Sequence, residues 1–145
     1  MCALTPVLSV RAIRLPAPGR GGDIQVRISA PATGENLPVI IFSHGYGSSM
    51  DGYAPLTDYW AAHGFVVIQP THLDAKRLGL AQDDPRRPLI WHIRVEVMKR
   101  ILDDLAAVTR SVPGLEGRVD HSLAASGHSF GGQTTSMLLG ARCWA

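Results

Sequence analysis

Hydrophobic and polar positions change rhythm several times along this chain, and each change marks an element. Val7 to Leu15 and Asp23 to Ala30 flank the stretch Pro16-Ala17-Pro18-Gly19-Arg20-Gly21-Gly22. In the second run Ile24, Val26 and Ile28 alternate with Gln25, Arg27 and Ser29, so the pair predicts two half-exposed strands joined by a turn. Val39 to Phe42 and Phe65 to Ile68 are unbroken apolar runs, as expected of parallel strands covered on both faces. Between them a helix is predicted from Tyr53 to His63, with Tyr53, Leu56 and Trp60 on one face and Gly64 as its stop. From Leu89 to about Arg110, Ile90, Ile93, Val97, Ile101, Leu105 and Val108 recur every three or four positions, predicting the longest helix. Glu96 and Arg100 are spaced as an i,i+4 pair on its polar face. Pro113-Gly114 breaks that pattern. Ser122 to Ser126 reads as a short strand despite the weak β propensity of Ala and Ser, and Phe130 to Ala141 as a helix with Met137, Leu138 and Ala141 inward.

This alternation of strand and helix predicts an α/β fold in one domain, residues 1–145, with right-handed crossovers and a mostly parallel sheet flanked by helices. A hydrophobic fraction of 46% against 18% charged residues supports a core and excludes a disordered tail. Acidic and basic residues are interspersed and the formal net charge is only +2, which leaves no footprint for nucleic acid. No run approaches the roughly 20 apolar residues of a membrane span. The N-terminus lacks a basic leader followed by an apolar run, so the expected location is cytoplasmic. Cys2 and Cys143 stand at opposite ends, without metal-site or disulfide spacing, and read as reduced thiols. One long polar stretch, residues 74–88, exceeds an ordinary connection, which marks it as functional or mobile.

The chemistry concentrates at Gly127-His128-Ser129-Phe130-Gly131, a serine between two glycines after a short apolar run and before a helical pattern. That is the sequence form of a nucleophile elbow, in which a strand-to-helix turn lifts a hydroxyl clear of the backbone. Chance alone yields such a pentapeptide in a chain of this composition about one time in ten, so its context carries the weight. A second piece is the loop over residues 43–49, Ser43-His44-Gly45-Tyr46-Gly47-Ser48-Ser49, behind the first buried strand. Acyl transfer needs two donors at the developing oxyanion, typically the amide after the nucleophile and one from this loop. The candidates are the amides of Phe130 and Tyr46, with Ser129 as nucleophile, and the Tyr46 ring is a candidate lining of the acyl pocket. No histidine stands out as the base. His128 adjoins Ser129 and should project away from it; His44 is expected to order the loop; His63 suits a helix C-terminus. His72 and Asp74 follow a strand end and are candidates to face the cleft, His121 reads as a turn residue, and His92 with Glu96 falls short of a metal site.

From about Val39 the chain resembles the first two-thirds of an α/β-hydrolase of the dienelactone-hydrolase-like and chlorophyllase-like type, a group related to cutinase-like polyesterases and platelet-activating-factor acetylhydrolases. The resemblance rests on Phe42-Ser43-His44-Gly45-Tyr46-Gly47, His63-Gly64-Phe65-Val66-Val67, Pro70-Thr71-His72 and Gly127-His128-Ser129-Phe130-Gly131-Gly132, in that order. It implies hydrolysis of a small-molecule ester through an acyl-serine, with no metal or organic cofactor. In that family the catalytic Asp and His follow the nucleophile on later loops. The chain is therefore expected to be the N-terminal part of the fold, its C-terminal strands missing after the nucleophile helix, and nearly inactive alone. An elbow strand left at an open sheet edge is expected to promote self-association. The alternative is a binding or oligomerising protein that keeps the elbow as a structural relic.

Overall fold

Unbroken apolar runs became interior strands and alternating ones became the flank of a single mixed sheet. The computed structural model describes residues 4–142; the expectation for Cys2 and Cys143 lies outside them. Five strands, β1 (Val7–Leu15), β2 (Ile24–Pro31), β3 (Leu37–Ser43), β4 (Val66–Pro70) and β5 (Val119–Gly127), lie in the order β1-β2-β4-β3-β5. β3 runs parallel to β4 and to β5, whereas β2 is antiparallel to both its neighbours. Only β2 is reversed among the described strands, so the mostly parallel expectation stands, with β2 breaking it because a short turn joins it to β1.

Alternation decides which layer each side chain joins. Ile24, Val26, Ile28, Val39, Ile41, Val66 and Ile68 form one core with Val97, Met98 and Ile101 of α2 (Ile90–Asp103) and Val108 of α3 (Leu105–Arg110). Phe42 points to the other face and packs on Tyr53 and on Trp60 of α1 (Ala54–Ala62), with centroids 4.8 and 6.0 Å away. The closing helix α4 (Phe130–Leu138) packs on β5, β3 and α2.

Several expectations need correction. α1 buries Thr57 and Ala61, while Leu56 is 39% exposed, because the sheet meets that short helix along the line of Thr57 and Ala61, roughly a quarter-turn or more round from Leu56. The helix predicted from Leu89 to Arg110 is two helices interrupted at Asp104, whose φ and ψ of −107° and 24° leave the α region where two adjacent aspartates lower helix propensity. Glu96 pairs with Lys99, and Arg100 with Asp104 one turn on. β2 is mostly buried rather than half-exposed, since β4 and β1 flank it and α1 crosses it. His121 lies within β5 and not in a turn before it. The polar stretch 74–88 begins with a buried Asp74 and is tied down by arginines. Arg86 reaches Asp84 and the Arg20 carbonyl, and Arg87 reaches the Leu80 and Ala81 carbonyls. β5 is the last strand of the sheet, with Leu123 46% exposed. No helix among the described residues is long and apolar enough to cross a membrane.

These assignments predict a contrast between two aliphatic residues. Ile41→Ala, at a fully buried position in the middle of the sheet, is expected to cost about 2–5 kcal/mol in urea unfolding. Leu56→Ala is expected to stay within about 0.5 kcal/mol of the parent although the sequence pattern puts it on the packed face.

Candidate active site

β3 leads out to β4 on one side and the chain then crosses to β5 on the other, so the loops after β3 and β5 diverge at the carboxyl end of the sheet. Such a switch point is where open α/β sheets place their sites. The register pairs Ser43 with Gly127, and the two loops meet immediately beyond. The His128 amide donates to the Ser43 carbonyl at 3.2 Å.

Ser129 has φ 55° and ψ −116°, a conformation that non-glycine residues rarely adopt, and its side chain is exposed. The turn closes through Gly131 N–H to the His128 carbonyl and Gly132 N–H to the Ser129 carbonyl, both 2.9 Å. The glycines on either side are dictated by space. A Cβ on Gly127 would lie 2.2 Å from the Gly131 oxygen, and one on Gly131 would lie 1.9 Å from the Ser43 oxygen. The backbone therefore folds onto itself and onto the end of β3, while the serine alcohol stands out with no hydrogen-bond partner among the described residues.

Across from the elbow, the loop after β3 is fixed by a charge pair that sequence reasoning missed. Arg94 of α2 and Asp74 have no exposed side-chain surface and meet in a fork. Arg94 Nε donates to Asp74 Oδ1 and Nη2 to Oδ2, each at 2.8 Å. The remaining donors go to the loop, Nη1 to the His44 carbonyl at 2.7 Å and Nη2 to that of Gly45 at 3.3 Å. Asp74 Oδ2 accepts the Gly47 amide at 3.1 Å, and the guanidinium lies 4.3 Å over the Phe130 ring. Of the amides of residues 45–48, Gly45 donates to Tyr53 Oη, Gly47 to Asp74 and Ser48 to the Gly45 carbonyl. The Tyr46 amide has no partner among the described residues, and neither has that of Phe130. The Tyr46 and Phe130 rings lie 6.4 Å apart, and Arg87 Nη1 donates to the Tyr46 hydroxyl at 3.1 Å.

The histidines are committed elsewhere. His44 is buried, its Nδ1–H donates to the Gly45 carbonyl at 2.7 Å, and Nε2 accepts the His72 amide at 2.9 Å, a pattern only neutral imidazole can make. Burial lowers it to about 4, Arg94 adding to the effect and the Gly45 carbonyl opposing it. His72, fully buried with Nε2 2.8 Å from Ser43 Oγ, is pushed well below the usual range by burial, Arg94 and His44. Asp74 would be raised by burial, but the hydrogen bonds and charge of Arg94 outweigh this and hold it below the ordinary carboxylate value. His72 and Asp74 thus turn into the protein and do not face the cleft. His63 Nδ1–H donates to the Tyr59 carbonyl at 2.7 Å, and His128 Nδ1 lies 2.8 Å from Tyr53 Oη. Among the described residues no three His, Cys, Asp or Glu side chains converge as metal ligands, and His92 with Glu96 lies exposed on α2. A signal for Arg94 did exist. It falls on the apolar stripe of α2 between Ile90 and Val97, and a cation there requires a buried anion.

Two outcomes follow. Arg94→Met, which strands the Asp74 carboxylate, is expected to cost about 3–5 kcal/mol of unfolding free energy. His44 also makes stability depend on pH. Its folded value near 4 lies below the unfolded 6.5, so the unfolded chain binds the extra proton and stability falls as pH drops from 6.5 to 4. The loss amounts to about 3 kcal/mol, with His72 acting in the same direction and Asp74 adding further loss below its unfolded value of 3.8. Urea midpoints at intervals across this range should show the slope, and His44→Gln should make it shallower while leaving the part due to His72.

Known proteins share this arrangement of elements. A family model described as Chlorophyllase matches residues 19–141. Platelet-activating factor acetylhydrolase of Cavia porcellus is 27% identical, over 74% of this chain and 33% of its own length. Chlorophyllase type 0 of Chenopodium album is 30% identical, over 77% of this chain and 31% of its own. The chain spans about a third of the length of these curated relatives. Among solved structures, the ferulic acid esterase from Streptomyces cinnamoneus superposes with a TM-score of 0.63 at 18% identity, over 92% of this chain and 54% of that one. An esterase of Pyrobaculum calidifontis gives 0.61 at 23% identity, over 93% of this chain and 39% of that one. These two likenesses speak for the fold, and the match over residues 19–141 speaks for the lineage. The chain belongs to the chlorophyllase family and has the fold of the N-terminal part of an α/β-hydrolase.

Proposed function

We propose that this chain carries the nucleophile half of a serine hydrolase acting on small carboxylic esters. The observation that carries the reading is Ser129, an exposed alcohol with no hydrogen-bond partner among the described residues, at a φ of 55° on the elbow between β5 and α4. Beside it, the loop after β3 leaves one of its amides, that of Tyr46, uncommitted. Ser129 Oγ gives its proton to a general base, which later passes it to the leaving alcohol, and attacks the ester carbonyl, so that negative charge collects on the carbonyl oxygen. Tyr46 N–H and Phe130 N–H receive that charge, helped by the positive end of the α4 dipole. Collapse of the tetrahedral adduct expels the alcohol and leaves an acyl-serine, which water hydrolyses. The names of the relatives, chlorophyllase and acetylhydrolase, agree with ester cleavage.

A serine needs a base, and the histidines whose bonds are described are held by Gly45, Ser43, Tyr59 and Tyr53. We place the base and its acidic partner in polypeptide outside residues 1–145, as the family resemblance implies, and expect these residues alone to turn esters over slowly at best. A second reading, a non-catalytic protein that self-associates, draws on β5 as an edge strand with Leu123 exposed.

Residues 1–145 are expected to hydrolyse p-nitrophenyl butyrate no faster than their Ser129→Ala variant. Continued through the gene's reading frame into a downstream His and Asp, the chain is expected to take a fluorophosphonate adduct on Ser129. Robust turnover by residues 1–145 that vanishes in Ser129→Ala overturns the missing base. A stable oligomer on size exclusion that never labels, in either form, replaces the first reading with the second.

A further inference from the structure

The Tyr53 hydroxyl stands between the two halves of the site. Tyr53 is the residue before α1, in left-handed conformation with φ 68° and ψ 18°, which costs a non-glycine residue energy and must be held by its surroundings. Its ring is seated against the buried Phe42 at 4.8 Å, and its hydroxyl has two neighbours. The Gly45 amide donates to Tyr53 Oη at 3.0 Å. With the phenolic hydrogen directed at His128 Nδ1, 2.8 Å away, His128 would carry its own proton on Nε2. The rings of Tyr53 and His128 are tilted by 58° with centroids 5.5 Å apart.

Gly45 completes the arrangement by having no side chain. A Cβ there would sit 3.0 Å from Tyr53 Oη and 3.3 Å from His128 Nδ1, so any larger residue would press into the space where phenol and imidazole meet. One oxygen thus joins the residue before Tyr46 to the residue before Ser129. It sets the distance between the loop after β3 and the elbow at the two positions adjoining the proposed oxyanion donors and nucleophile.

We infer that Tyr53, acting through Gly45 and His128, is a positioning residue that fixes the spacing of the Tyr46 and Phe130 amides around the alcohol of Ser129. The inference rests on the proposed function and gives His128 a part in the motif that is not that of a base. Donors displaced by a fraction of an ångström stabilise an oxyanion poorly, and a misplacement of about 1 Å costs on the order of a hundredfold. Because Tyr53→Phe removes a single oxygen while keeping the ring on Phe42, it is expected to leave the thermal midpoint within about 5 °C of the parent.

The test has one readout in residues 1–145 and one in the chain continued through its reading frame. In residues 1–145, the ¹⁵N spectrum of His128 is expected to show an unprotonated, hydrogen-bonded Nδ1 that changes in Tyr53→Phe. A protonated Nδ1, or no change, overturns the bridge whatever the activity. In the continued chain, Tyr53→Phe and His128→Leu are each expected to slow fluorophosphonate inactivation of Ser129 by about tenfold or more, in the maximal rate and not in the probe's apparent affinity. The double variant should be no slower than either single, and His128→Gln, which offers an acceptor oxygen, should recover most of the loss. Parental rates in both single variants, or losses that multiply, overturn the inference while labelling at Ser129 leaves the proposed function standing. Failure of the parent continued chain to label at Ser129 overturns the proposed function, and this inference with it.

Discussion

The buried ion pair between Arg94 and Asp74 is the constraint on which the site depends. Taking two charges out of water costs several kcal/mol per ion, and their attraction offsets this only when the geometry is good and no donor is wasted. Here the fork between guanidinium and carboxylate is complete, and the donors left over are spent on the His44 and Gly45 carbonyls. One cation on α2 therefore fixes three pieces of chain: the segment after β4 through Asp74, the loop after β3 through its carbonyls and, by way of the carboxylate, the Gly47 amide, and the start of α4 through the Phe130 ring. An irregular loop has no ladder to hold its backbone groups. In this one, Arg94, Asp74 and Tyr53 take the place of a ladder and leave the Tyr46 amide over.

The same low-dielectric interior explains the histidines. His44 and His72 lie within reach of a fixed positive charge and away from water, so both stay neutral and act as hydrogen-bonding spacers. Their imidazoles lie 4.8 Å apart, tilted by 55°, and tie the end of β3 to the segment after β4. A sequence with six histidines looks rich in candidate bases. Folding commits those of the loop region to structure, and Ser129 is left facing solvent.

The elbow shows a different economy of space. Adjacent parallel strands β3 and β5 bring Ser43 opposite Gly127, and the backbone of residues 127–131 then has to turn within contact of Ser43 and His44. Both motif glycines sit where a methyl group would collide with main chain, and the unusual dihedrals of Ser129 are what remains when the turn is that tight. The strain is borne by contacts on the sheet side, which leaves the other side of the serine open.

Much of this was legible in order of residues. Period-two and unbroken apolar runs located β1 to β4, because burial on one face or two leaves that signature locally, whereas β5, poor in β-formers, was read from its place before the elbow, and the glycine spacing around Ser129 named the elbow because its reason is steric and short-range. The repeat of α2 and α3 was visible, but the break at Asp104 was not, since periodicity continues across a one-residue interruption. Leu56 was misplaced because a short helix of weak amphipathicity is turned by the sheet it meets. Local sequence thus determined which residues could form strands, where the chain must bend, and which serine stands at the bend. Tertiary structure alone decided that Arg94, Asp74, Tyr53 and His128, as many as 75 residues apart in the chain, meet around one loop, because a buried charge or hydroxyl takes its partner from whatever the packing brings within hydrogen-bond distance.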